Sequence, residues 1–210
     1  FAEANRDRPF CAYLPTNEPQ GRQHVPRKYG EPDLAREGVG RSRANFYGRC
    51  ANIDGNIGRL RERLETLGLS DNTIIVFLTD NGTAAGMGTA EKNGPAVNGY
   101  NAGMRGAKGS AYEGGHRAAC FVHWPGGGLD QGQDVDPLAC HMDLLPTLID
   151  LCELQAPANV TFDGTSLAPL LRGEAAGWPD RTLCIHCQGR FGEPVHEGLP
   201  IKYKDYCVLS

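Results

Sequence analysis

No apolar run in the 210 residues approaches the ~20 that a membrane-spanning helix needs. Dense Lys or Arg blocks are missing as well, and the formal net charge is −4. Neither nucleic acid nor an anionic membrane surface is therefore an expected partner. The chain shows no internal repeat and no low-complexity linker, so one domain is the default for this length. A secretory leader is missing too. The chain opens on Phe1, however, and reads as cut at both ends, so that absence excludes little.

Eight cysteines are present, but their placement does not describe a disulfide framework. Cys50 and Cys152 fall on apolar helical faces, while Cys11 and Cys120 fall in strand-like runs. All four are expected to behave as small buried hydrophobes. Cys184 and Cys187 form a C-x-x-C, yet they lie in T-L-C-I-H-C-Q, which reads as a strand. Positions i and i+3 of a strand face opposite sides, which argues against one shared metal or bond. What the chain has in abundance is glycine (28) and proline (14), the composition of a loop-rich protein.

The clearest element is Thr73–Gly82, T-I-I-V-F-L-T-D-N-G. A short apolar run rich in β-branched and aromatic residues, stopped by turn residues, predicts a strand buried on both faces. Such strands belong to parallel sheets that place ligands beyond their carboxyl ends. Upstream, Phe46, Cys50, Ile53, Ile57, Leu60, Leu64 and Leu67 recur at spacings of three and four, predicting an amphipathic helix over 44–67 with Gly68 at its C′ position. Further strands are expected at 9–14, 117–124, 182–188 and in the tail from Tyr203, and helices at 143–154 and 167–171. Asp143 is a plausible N-cap, Pro146 is acceptable only in a first turn, and residues 30–42 have turn composition.

Chemistry concentrates at the end of the 73–82 strand. Asp80 and Asn81 offer a carboxylate and an amide oxygen side by side, hard donors suited to Ca²⁺ or Mg²⁺. A plain turn is the competing reading of the same residues. The glycine-rich stretch that follows carries Arg105 and Lys108 among small residues. It is not a Walker A sequence, but a cation beside exposed backbone N–H groups can clamp a tetrahedral oxyanion. Gln20 and His24 lie in a polar loop after the 9–14 strand, where a site residue could sit. His141 could be a ligand, although a packed or solvated role is the expected one.

Taken together, T-D-N-G, M-R-G-A-K-G-S-A-Y-E-G-G-H-R, F-V-H-W-P-G, H-M-D-L-L-P-T-L-I-D-L and F-D-G-T-S-L-A-P-L-L resemble the sulfatases of the alkaline-phosphatase superfamily, in that family's order. The resemblance implies an α/β fold: part of a three-layer domain with a mostly parallel or mixed sheet and flanking helices, residues 1–210 being a partial catalytic domain. It implies a sulfuric ester hydrolase acting on aryl or carbohydrate sulfates, with Asp80 and Asn81 holding Ca²⁺ (Mg²⁺ possible) and Lys108 on the sulfate oxygens. Gln20, Arg105 and His24 would stand near the substrate, Gln20 where the family usually has histidine. The family's nucleophile is a formylglycine made from Cys or Ser in C/S-x-P/A-x-R. No such motif and no Asp-Asp pair occurs here, so both are expected in a preceding segment. A periplasmic or extracellular location is a further implication. Two alternatives stay open, a phosphoric-ester or phosphonate hydrolase of the same superfamily and a non-catalytic binding protein.

Overall fold

The computed structural model describes residues 1–16, 25–82, 88–89, 96–98, 101–130, 132–174, 176, 178–186 and 206–210. Five helices are described: α1 Arg27–Leu34, α2 Arg41–Thr66, α3 Glu113–His116, α4 Leu144–Leu151 and α5 Ala168–Leu171. The strands are β1 Ile75–Leu78, β2 Gly88–Thr89, β3 Ala96–Asn98, β4 Cys120–His123, β5 Leu183–His186 and β6 Tyr206–Leu209. They pair as β1–β4, β2–β3 and β5–β6, all antiparallel. The mixture of helix and strand agrees with the α/β class. The parallel neighbours expected for β1 are not among the described residues.

Helix α2 forms where the three-and-four spacing requires it. It ends in a paired cap: Gly68 N–H donates to Glu65 O (2.9 Å) and Leu69 N–H to Leu64 O (2.9 Å), with Gly68 at φ 69°. That left-handed geometry is the one for which glycine is suited at C′. The apolar stripe is only partly covered. Leu64 is buried, whereas Cys50 and Leu60 are exposed. Residues 27–34, read from sequence within or beside a turn-rich surface segment, instead form α1 packed on α2. Gly30 and Pro32 lower its helix propensity, and contact with α2 overrides that local preference.

In the β1–β4 ribbon, Ile75 faces His123 and Leu78 faces Cys120. Ile74, Val122 and Trp124 turn onto a core of Leu129, Leu151 and Ala168, which α4 and α5 complete. The other face carries Phe77 opposite Phe121, ring centroids 6.3 Å apart, and these are 36% and 65% exposed. The expectation of burial on both faces is thus corrected: successive side chains alternate, and among the described residues only one face has a helical cover. Residues 9–14 form no strand. Cys11, Cys120 and Cys152 are exposed rather than buried, and Cys187 lies outside the described residues.

Asp143 is not the simple cap of α4. It sits in a 3₁₀ turn, His141–Asp143, with helical backbone angles, and its carboxylate turns back to accept Cys140 N–H at 2.7 Å. The same buried carboxylate accepts Thr165 N–H (2.8 Å) and Arg181 Nη1 (2.8 Å). It thereby ties the start of α4 to the segment that leads into β5. Pro146 lies in the first turn of α4, as its missing N–H demands.

Candidate active site

The carboxyl end of β1 is held by its neighbour. Thr79 N–H donates to Ala119 O at 3.0 Å, and Ala119 N–H donates to Thr79 Oγ1 at 3.0 Å. Asp80 and Asn81 follow immediately, beyond the last ladder bond. Gly82 N–H then donates to Gly115 O (3.1 Å), bringing the chain flat against α3. A Cβ on Gly82 would run into the Gly114 carbonyl, so only glycine lets the strand end lie this close.

Lys108 reaches this strand end from the loop before α3. Its Nζ stands 3.8 Å from Asp80 Oδ2, with the two side chains 45% and 71% exposed. An ammonium and a carboxylate this far in water interact weakly, so the pair records a placement rather than a source of stability. Arg105 is in the same loop, its Cζ 3.9 Å above the Tyr112 ring, and its carbonyl accepts Gly114 N–H at 2.8 Å. Gly106 and Gly109 hold φ of 82° and 83° on either side of Lys108, and this permits the sharp path of the loop. Four of the sequence-derived candidates therefore lie on two adjoining segments, at the end of β1 and in the loop before α3. Gln20 and His24 lie outside the described residues.

Asp80 and Asn81 fit a hard cation by donor chemistry, and the Asp80 carboxylate is accessible. Two oxygens are nonetheless well short of the six to eight that Ca²⁺ takes. Among the described residues no three His, Cys, Asp or Glu side chains are grouped so as to hold a metal. The strand end thus fits a part of a cation shell.

Two features escaped the sequence reading. His141 Nε2 is 2.9 Å from the Thr79 carbonyl oxygen, which makes this ring a neighbour of the strand end rather than a merely solvated histidine. The Asp143–Arg181 pair was the other. Burial pushes the Asp143 pKa up, but the hydrogen bonds from Arg181, Thr165 and Cys140 outweigh that, and the net shift is downward. The H-M-D order alone placed His141 and Asp143 near a helix start, and nothing in the sequence pointed to Thr79 or Arg181 as their partners.

The strand end thus sets a carboxylate and an amide oxygen side by side, with a loop lysine next to the carboxylate, on an α/β scaffold. The chain belongs to the sulfatase family, whose pattern matches residues 1–154. It is 33% identical over 180 residues to the uncharacterized sulfatase YdeN of Escherichia coli (strain K12), covering 84% of this chain and 30% of the relative. To arylsulfatase A of Homo sapiens it is 35% identical over 174 residues, covering 82% of this chain and 31% of the relative. The chain thus spans about a third of the length of these relatives. Among solved structures, the crystal structure of Ps i-CgsB superposes with a TM-score of 0.68 at 28% identity, covering 81% of this chain and 35% of the other. The structure of BT4656 in complex with its substrate D-glucosamine-2-N,6-O-disulfate gives a TM-score of 0.55 at 25% identity, over 77% of this chain and 31% of that one.

Proposed function

We propose that these residues form the cation- and oxyanion-binding part of a sulfuric ester hydrolase site. The observation that carries this reading is the 3.8 Å approach of Lys108 to Asp80 at the end of β1. Asp80 and Asn81 would hold a divalent cation, Ca²⁺ by preference and Mg²⁺ as the alternative, with further oxygen donors from outside the described residues. That cation would supply positive charge against the sulfuryl oxygens. Lys108, beside it, opposes the negative charge that builds on those oxygens as the ester bond breaks, and its ammonium can donate to more than one of them. Arg105, stacked on Tyr112, stands ready as a second cation near the bound ester.

No Cys or Ser in the chain begins the formylglycine motif, so the nucleophile is assigned to another part of the gene product. The substrate class is an aryl or carbohydrate sulfate. Support for the second comes from BT4656, whose substrate is a sulfated glucosamine. A periplasmic or extracellular location remains part of the proposal. The 210 residues by themselves are expected to show no turnover of 4-nitrophenyl sulfate, while the complete gene product that carries them does turn it over. Hydrolysis by the purified, sequence-verified 210-residue chain would remove the assignment of the nucleophile to another segment.

A further inference from the structure

We propose that His141 is a positioning residue for the cation-binding strand end, acting through the Thr79 carbonyl; this rests on the reading of Asp80 and Asn81 as cation ligands. The Thr79 carbonyl belongs to the peptide that joins Thr79 to Asp80. The two bonds from Ala119 fix the amide and the hydroxyl of Thr79, both on the near side of that peptide. Rotation of the 79–80 peptide plane would leave them intact and yet swing Asp80 away from Lys108. His141 Nε2 closes that freedom from the other side, at 2.9 Å from the carbonyl oxygen and from 62 residues away in sequence. A carbonyl only accepts, so the ring nitrogen facing it carries the proton and donates.

The ring is carried on a rigid base. It stands at the start of the His141–Asp143 turn, whose buried Asp143 carboxylate binds Cys140 N–H, Thr165 N–H and Arg181. Thr147 Oγ1 donates to the Asp143 carbonyl at 2.5 Å and accepts Leu167 N–H at 2.8 Å, fixing the first turn of α4 as well. The exposed imidazole is therefore not free to drift with a loop. Its donor is delivered by a braced turn to the carbonyl of the peptide that leads into Asp80. Outer partners of this kind are what hold ligand atoms on target, and losing one commonly weakens metal binding by about 10-fold or more.

The test uses the complete gene product, stripped with EDTA and titrated with CaCl₂ by calorimetry, alongside thermal unfolding. Four proteins are compared: the parent, Asp80→Ala, His141→Phe and His141→Gln. His141→Phe keeps a ring and removes the donor, while His141→Gln keeps an N–H donor without the ring. The expected result is Ca²⁺ binding that Asp80→Ala abolishes, that His141→Phe weakens about 10-fold, and that His141→Gln largely restores, with unfolding temperatures alike. Parent-like affinity in His141→Phe would overturn the inference and leave the cation reading standing. So would equal weakening in both His141 variants accompanied by a fall in unfolding temperature, which marks a role in folding only. Ca²⁺ binding that is absent, or indifferent to Asp80→Ala, would instead remove the cation reading, and the inference with it.

Discussion

Lys108 Nζ lies 3.8 Å from Asp80 Oδ2, so the group assigned to the oxyanion and the group assigned to the cation meet on one exposed patch. The two segments approach each other through backbone contacts of Gly82 with Gly114 and Gly115. The functional consequence lies in this placement, because the exposed pair itself contributes under about 1 kcal/mol.

Lys108→Ala in the complete gene product is expected to lower kcat/KM for an aryl sulfate by about 100-fold or more, the range for losing a charge-stabilising donor. Steady-state kinetics with unchanged Ca²⁺ affinity would be the matching signature. Normal kinetics would transfer the oxyanion role to Arg105, the next cation in the same loop.

Asp80→Ala should weaken Ca²⁺ binding more than Asn81→Ala, because it removes a full charge opposite a dication rather than a dipole. Calorimetric titration of both variants decides the order. An Asn81→Ala protein that binds more weakly than Asp80→Ala would contradict it.

Gly82→Ala puts a methyl group into the Gly114 carbonyl, and backbone must move to accept it. Overpacking of this kind costs about 1–3 kcal/mol. A lower denaturation midpoint together with weaker Ca²⁺ binding is expected, since the displaced segment carries Asp80 and Asn81. Gly68→Ala, which strains a φ of 69° at the C-terminal cap of α2, should lower stability without touching the cation.

Asp143→Asn should destabilise the fold by about 3 kcal/mol, since Arg181 keeps its charge, is 14% exposed, and loses its only ion-pair partner among the described residues. The folded pKa of Asp143 is lowered, so its contribution is fully present above the unfolded carboxylate value of about 4 and is lost as pH falls through the folded value. The gap in stability between parent and Asp143→Asn should therefore hold from neutral pH to about 4 and close below it. Chemical denaturation across that range measures the gap. One that stays undiminished at strongly acid pH would contradict the pairing.

Local periodicity made α2, β1, β4 and α4 legible, because each is written in consecutive residues: the three-and-four stripe of α2, the apolar runs of the strands, the Asp143–Pro146 start of α4. Asp80 and Asn81 at a strand end, and Arg105 and Lys108 in a glycine-rich loop, were candidates for a related reason, and the fold sets Lys108 beside Asp80. What could not be read was set by contacts distant in sequence. Helix α1 forms against α2 in spite of Gly30 and Pro32, and Phe77 and Phe121 share an exposed face that no local pattern announces. The His141–Thr79 bond and the Asp143–Arg181 pair bridge separations of 62 and 38 residues, beyond the reach of any spacing rule.

Sulfate ester hydrolysis in the complete gene product, assayed with 4-nitrophenyl sulfate and a sulfated carbohydrate beside 4-nitrophenyl phosphate, tests the proposed site most directly. Hydrolysis of a sulfate ester in preference to the phosphate is expected, lost on EDTA treatment, recovered with Ca²⁺ in the parent and not recovered in Asp80→Ala. Hydrolysis that survives both EDTA and Asp80→Ala, or that favours the phosphate ester, would contradict it.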